Sequence, residues 1–180
     1  MSMPDPEPIS AEVLRRARNG DPAAFRMIYD SHLERVHAIC MRMGPDRQRA
    51  AELTHDVFVR VWEKLGTFRS ESSLATWIHR LAVNLVLMEA RTRGRRERRV
   101  EGVGDVESLS PAAPEDMIGE RLDLEAAVAR LPEGARQVFV LREIEGYDYS
   151  EISTVMGITE GTARSQLYRA RQLLMPMLGL

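Results

Sequence analysis

Apolar residues recur at helical spacing along most of this chain, and no stretch shows with conviction the period-two alternation of a strand. Val13, Leu14 and Ala17 predict a short helix that starts after Ser10 and stops at Asn19-Gly20. Asp21-Pro22 then reads as an N-cap followed by proline at the first helical position, where its missing N–H costs nothing. Behind it Phe25, Ile28, Tyr29, Leu33, Val36 and Ile39 fall on one side of a core helix. Gly44-Pro45-Asp46 breaks that helix. The next, over residues 47–65, is expected to carry Leu53, Val57, Phe58, Val61, Trp62 and Leu65 inward, with Glu52, His55, Asp56, Arg60 and Glu63 on its polar side. Residues 66–73, GTFRSESS, form a polar loop in which Ser72 or Ser73 can cap a helix starting near Leu74. Trp77, Ile78, Leu81, Ala82, Leu85 and Val86 are the expected inner face of that helix, which ends in RTRGRRERR.

From Val100 to Pro114 periodicity stops and the composition turns to Gly, Ser, Pro, Ala and acid, which predicts a linker. Beyond it lie a helix over residues 118–131, stopped by Pro132, and another over 135–145 that buries Val138, Leu141 and Ile144 and ends at Gly146. Last comes DYSEISTVMGITEGTARSQLYRARQLL. Asp148 and Glu151 have the spacing of a capping box, and Ile152 and Val155 supply an apolar side. Gly157 suits a left-handed helix stop, and Thr159 can cap the next helix two residues later. On that second helix Ala163, Leu167, Ala170 and Leu174 share one narrow side, while Ser165, Tyr168, Arg169 and Gln172 lie away from it. This is a helix-turn-helix. The expected fold is all-α: a tail over residues 1–9, a helical domain over 10–99, an acidic linker over 100–117, and a four-helix domain over 118–180.

The composition, 44% apolar and 29% charged over 180 residues, is that of an ordinary globular protein. A net charge of −2 argues against a chain that coats nucleic acid indiscriminately, but the charges are segregated. Residues 1–99 carry 18 basic and 13 acidic side chains, and residues 100–120 carry six acids and no base. Residues 91–99 hold six arginines against one glutamate, either a nucleic-acid surface or a disordered charge run. From Thr162 to Arg171 there are three arginines and no acid, a pattern that suits phosphate and guanine contact. The plainer reading of that helix is a solvated one closing a small bundle, and the polar side of the 47–65 helix is equally open to simple solvation.

Signs of catalysis are weak. His32, His37 and Cys40 lie close together, and His37 and Cys40 share a side at i, i+3, but no second Cys pair or His-Glu motif completes a metal site. Neutral surface histidines are the better expectation. Gly102-Val103-Gly104 has no strand before it or helix after it, so no dinucleotide fingerprint forms, and no cofactor is expected. One cysteine excludes an internal disulfide framework, no basic-then-apolar leader opens the chain, and no apolar run approaches the roughly 20 residues of a membrane span. A cytoplasmic location is the expectation.

Four motifs, in order, carry a family resemblance: DPAAF, ELTHDVFVRVWEKL, FRSESSLATWIHRLAVNLVLMEAR and LPEGARQVFVLREIEGYDYSEISTVMGITEGTARSQLYRARQLL. The chain resembles the bacterial extracytoplasmic-function sigma factors, small promoter-specificity subunits of RNA polymerase, over about residues 20–99 and 118–178. The resemblance implies that Glu52, His55, Asp56, Arg60 and Trp62 meet core RNA polymerase, at the clamp of its largest subunit, with the beta subunit also a partner. It implies that the loop holding Phe68, Ser70, Glu71, Ser72 and Ser73 captures a base flipped from the −10 element, bordered by Trp77, Arg80 and Asn84. The arginine run from Arg91 would hold phosphates of the separating strands, and the linker would occupy the polymerase channel near the RNA exit. Thr162, Arg164, Ser165, Gln166, Tyr168 and Arg169 match the helix that enters the major groove at the −35 element. An anti-sigma factor is the expected inhibitory partner, and the catalysis belongs to the polymerase.

Three residues depart from the family pattern. His55 stands where Gln is usual, Met88 where Asp is frequent, and Gln166 where Arg is common. Gln166 bears most on promoter sequence, because Gln prefers adenine where Arg prefers guanine. Two other readings are an autonomous helix-turn-helix regulator and a small helical metal-dependent enzyme using His32, His37 and Cys40.

Overall fold

The structure, a computed structural model, describes residues 9–101 and 124–179, and for residues 97–101 the backbone alone. The expected tail over 1–9 and linker over 100–117 thus fall almost wholly outside the described residues. Among the described residues there are eight α-helices and no strand. They divide into two compact units, with the division between Arg91 and Thr92.

In the first unit α1 (Ala11–Arg18) is capped by Ser10, whose side chain accepts from the Val13 N–H, and ends at Asn19 with Gly20 at φ +84°. Asp21 then caps α2 (Pro22–Met43) by accepting from Ala23 and Ala24 N–H at 2.9 and 3.3 Å. Asp46 caps α3 (Arg47–Lys64) through Arg49 N–H at 2.7 Å, and a single 3-10 turn, Leu65–Thr67, leads out of it. Ser73 Oγ accepts from Thr76 N–H at 3.1 Å and starts α4 (Leu74–Glu101). Each cap satisfies N–H groups that the first turn of a helix leaves without a partner. The backbone of α4 stays helical through the arginine run, so residues 91–99 are not a disordered charge run.

The core of this unit is Ile28, Val36, Ile39 and Met43 of α2 against Leu53, Val57, Phe58 and Val61 of α3 and Ile78, Ala82, Val83, Val86 and Leu87 of α4. Three expectations need correction. Trp62 does not point inward: it is 42% exposed and lies edge-on to Phe25, ring centroids 4.8 Å apart. The inner face of α4 is turned toward His79, Val83 and Leu87, leaving Trp77, Leu81 and Leu85 only half-buried. Residues 81–88 are apolar at every position but Asn84, so spacing alone could not choose the face.

The third correction concerns the histidines. His32 and His79 are buried, not surface groups. His32 donates from Nδ1 to the Ile28 carbonyl at 2.8 Å. His37 Nδ1 lies 3.2 Å from Thr54 Oγ1, whose own hydroxyl donates to the Ala50 carbonyl, and Cys40 is hydrogen-bonded to the same Thr54. Burial pushes the Cys40 thiol up to about 11, away from the thiolate a metal site needs. His37 and Cys40 are therefore knitted into the α2–α3 packing, and His32 is held by its own helix.

The second unit takes in the end of α4 from Thr92 onward and then, among the described residues, α5 (Leu124–Ala129) and α6 (Glu133–Phe139). The α6 helix begins two residues before its expected start and then widens into a π-helical turn, Val140–Ile144, which the sequence spacing did not indicate. Buried Arg136 donates to the Ala129 carbonyl at 3.1 Å and so closes the end of α5. Gly146, at φ +76°, leads to α7 (Tyr149–Met156) and then α8 (Glu160–Met177). Leu131, Val138, Leu141, Ile152, Ala163, Leu167, Ala170 and Leu174 form the core.

Protonation links this packing to pH. Burial first, and then the positive Arg35 and Arg80, push His79 from its ordinary 6.5 down to about 4, so the folded state holds it neutral. The unfolded chain takes up that proton at higher pH. The stability is thus complete above pH 6.5 and falls as pH drops toward 4, by about 2 kcal/mol between pH 6.5 and 5 at roughly 1.4 kcal/mol per pH unit. Urea unfolding at the two pH values should show this loss, and His79→Gln should flatten it.

Candidate nucleic-acid interface

The loop between α3 and α4 is built on an aromatic pair. Phe68 is buried, 7% exposed, with its ring 5.2 Å from Trp77 at 41°. Placed there, the Phe68 ring supports the loop from beneath, and Glu71 and Ser73 face solvent with Ser72 half-buried. Ser70 holds a left-handed backbone, φ +59°, which is uncommon for a residue other than glycine. From the far side Arg18 of α1 reaches in: it donates to the Phe68 carbonyl and to Ser70 Oγ, and its guanidinium lies 5.4 Å from the Phe68 ring centre. Sequence reasoning missed Arg18, which sits 50 residues away from the loop and outside the resembling stretch.

Trp77, Arg80, Asn84 and Arg91 follow one another on α4 within about 60° of arc at 100° per residue, so they line one side of the helix. Arg80, Asn84 and Arg91 are exposed and Trp77 is half-buried against the loop. The loop and this stripe make one continuous polar and aromatic surface with cationic ends.

A second surface of the same unit lies on α3. Glu52, His55, Asp56 and Arg60 are all exposed, and Trp62 stands beside them. Glu52 already holds a partner: Arg49 reaches it at 2.5 Å and Glu89 of α4 at 2.7 Å, clipping the two helices together. Between α3 and α4 runs a shallow groove of about 210 Å³, lined by Asp56, Val59, Arg60, Leu85, Met88 and Glu89. Val59 and Met88 are 44% and 53% exposed. Met88, one of the three departures, therefore adds an apolar lip to a charged groove.

In the second unit the helix-turn-helix forms as the spacing predicts. Asp148 accepts from Glu151 N–H at 2.7 Å while Glu151 accepts from Asp148 N–H at 2.9 Å, a complete capping box. Gly157 ends α7 at φ +68°, and Thr159 Oγ1 accepts from Thr162 N–H at 3.1 Å to start α8. Ala163, Leu167, Ala170 and Leu174 are all buried, so the opposite side of α8 is set outward. Thr162, Arg164 and Ser165 are exposed, Tyr168 is 67% exposed, and Arg169 is half-buried.

Two of the expected DNA-facing residues are tied to the scaffold. Arg164 donates to Glu160 at 2.9 Å and lies 4.7 Å over the ring of Tyr149, which Arg142 approaches at 5.0 Å. Tyr149 was not foreseen as part of this surface. Gln166 is half-buried and turned toward α6, where a Cβ added to Gly134 would lie 3.7 Å from its amide. Its position on the helix, one step from the buried Leu167, carried the only sequence signal for this contact.

Comparison with known proteins matches both surfaces to one family. Residues 28–96 match the model for Sigma-70 region 2, and residues 121–174 that for Sigma-70, region 4. The RNA polymerase sigma-H factor of Pseudomonas aeruginosa is 30% identical over 174 residues, covering 89% of each chain. The ECF RNA polymerase sigma factor SigE of Mycolicibacterium smegmatis is 33% identical over 180 residues, covering 95% of this chain and 68% of that one. A solved structure of the sigma factor RpoE in complex with the anti-sigma factor NepR from Bartonella quintana superposes with a TM-score of 0.57 at 26% identity, covering 87% of this chain and 97% of that chain. The chain belongs to the sigma-70 family, as an RNA polymerase sigma factor of the extracytoplasmic-function (ECF) group. Among the described residues, no helix is long and apolar enough to cross a membrane.

Replacing the first residue of the capping box tests how the helix-turn-helix is held. Asp148→Ala should lower the stability of the second unit by about 1 kcal/mol, read by thermal or urea unfolding. The Glu151→Ala variant should cost less, because it removes the partner of one N–H and leaves the Asp148 cap in place.

Proposed function

We propose that this sigma factor grips its promoter at two points while seated on core polymerase by α3. The exposed face of α8 enters the major groove at the −35 element, whose width of about 12 Å admits a helix. Arg169 and Arg164 face the bases or phosphates there, with Tyr168 and Ser165 beside them. The loop over residues 68–73 receives a base flipped out of the −10 element, and Trp77, Arg80 and Asn84 border it. Unstacking one base costs a few kcal/mol and exposes its Watson–Crick edge to the loop's hydroxyl and carboxylate groups, so recognition and strand opening become one step. Arg91 begins the cationic run that follows the separated phosphates. The observation that carries this reading is the stripe of Trp77, Arg80, Asn84 and Arg91 running from the open loop along one side of α4.

Core polymerase binds along Glu52, His55, Asp56, Arg60 and Trp62, where charge surrounds the groove holding Val59 and Met88. Desolvating those apolar side chains favours docking, and the charged rim orients it. Phe68 takes the role of support for the loop, and Gln166 that of a packing residue of α8, in keeping with their burial. The chain catalyses nothing itself and works in the cytoplasm with the polymerase. The complex of the Bartonella relative with its anti-sigma factor supports an inhibitory protein partner for this chain as well.

Transcription from genomic templates by the organism's own core polymerase, with and without the purified chain, tests the proposal: new chain-dependent start sites are expected, and their absence would sink it. Two substitutions then separate the two points of grip. Arg169→Ala should weaken −35-dependent promoter activity by about 1–3 kcal/mol if its contact is bidentate to a base. Asn84→Ala should slow open-complex formation, followed by permanganate footprinting, and leave binding to −35 duplex unchanged.

A further inference from the structure

The loop that receives the base has almost no hydrogen bonding of its own to define its shape. Among its described side chains, Ser72 Oγ meets the neighbouring Ser73 carbonyl at a long 3.4 Å, and Ser73 Oγ is committed to capping α4. Yet the loop holds Ser70 at φ +59°, where the Cβ of an L-residue crowds the backbone. Something outside the loop must stabilise that conformation. The structure supplies one group for it: the guanidinium of Arg18, on the last turn of α1.

A single nitrogen of Arg18, Nη2, donates to the Phe68 carbonyl and to Ser70 Oγ, the latter at 3.3 Å, while the guanidinium plane covers the Phe68 ring. The two acceptors flank Arg69. The contacts therefore hold the chain where it enters the left-handed region, at the backbone of Phe68 and through the side chain of Ser70. Phe68 is held in turn against Trp77, so the brace reaches the first turns of α4. A lysine ammonium can donate to two acceptors, but it has no planar guanidinium to lie over the Phe68 ring.

We propose that Arg18 is a positioning residue for promoter opening: resting on the reading above, it holds the loop over residues 68–73, with Ser70 in its left-handed conformation, in the shape that receives the flipped base. It acts through the loop and need not touch DNA. If Arg18 holds Ser70 against its backbone preference, glycine at position 70, which adopts φ > 0 without steric cost, makes the brace less necessary.

The test is a double-mutant cycle in the assembled holoenzyme, reading affinity for a fluorescent single-stranded oligonucleotide carrying the −10 non-template strand of a promoter it transcribes. Arg18→Ala is expected to weaken binding by about tenfold, the size of one hydrogen bond from a charged group. The same change should cost clearly less in the Ser70→Gly background, which removes both the backbone penalty and the Oγ acceptor, than in Ser70→Ala, which removes the acceptor alone. Arg18→Lys, which keeps a donor but not the group over the Phe68 ring, should recover binding only in part, whereas binding to core polymerase and to −35 duplex should be unchanged in every variant. Equal losses in the glycine and alanine backgrounds, or an Arg18→Ala affinity matching the starting protein, would overturn the proposal. A holoenzyme that fails to select the −10 strand even before substitution overturns the reading beneath the proposal, and the proposal with it.

Discussion

A helix has one circumference, and in both halves of this chain the helix proposed to serve recognition must also close a core too small to do without it. The α8 helix meets that constraint by confining its buried contacts to Ala163, Leu167, Ala170 and Leu174, where alternating small and large side chains let it sit close to its neighbours on a narrow line. The remainder of its surface is then free to carry Thr162, Arg164, Ser165, Tyr168 and Arg169. The α4 helix divides less sparingly. It buries a broad face, from Ile78 and His79 to Val86 and Leu87, and keeps one stripe for polar and cationic groups. Because the same residues that fix each helix in its core also set the angle at which its other face looks out, packing and presentation cannot be altered separately.

This division explains what could be read in the sequence. Caps and stops are local, so Ser10, Asp21, the Asp148–Glu151 pair, Gly157 and Thr159 all declare themselves within three or four residues of their partners. The narrow apolar line of α8 was legible for the same reason. Three things were not. The apolar stretch around Val83 is broken only at Asn84, which orients it weakly, so the face of α4 came out turned. Trp62 combines a large apolar ring with a place on the exposed side, which hydropathy assigns to the core. The link from Arg18 to Phe68 joins distant segments through a backbone carbonyl, which leaves no trace in residue type. The family resemblance supplied roles, but only geometry distinguished side chains that face outward from those, such as Phe68 and Gln166, that support them.

Buried polar groups hold a distinct place in this fold. His37, Cys40 and Thr54 form a small hydrogen-bonded patch between α2 and α3, His32 bonds a carbonyl of its own helix, and Arg136 spans from α6 to the end of α5. Such groups cost desolvation, and each is stabilising only while its partner is present. They specify which helices meet, and at what register, more than they add to the free energy of folding. Arg49, shared between Glu52 and Glu89, does similar work nearer the surface and keeps α3 and α4 aligned along their groove.

The contact between Gln166 and Gly134 bears on how promoter preference can be changed in this protein. A Cβ added at Gly134 would meet the Gln166 amide at 3.7 Å, ordinary van der Waals contact, so the two positions are neighbours across α8 and α6. Position 166 therefore faces two ways along the chain: it belongs to the stretch proposed to meet DNA, yet its side chain lies against α6, so an exchange of the outward residues of α8 also changes what α6 packs on.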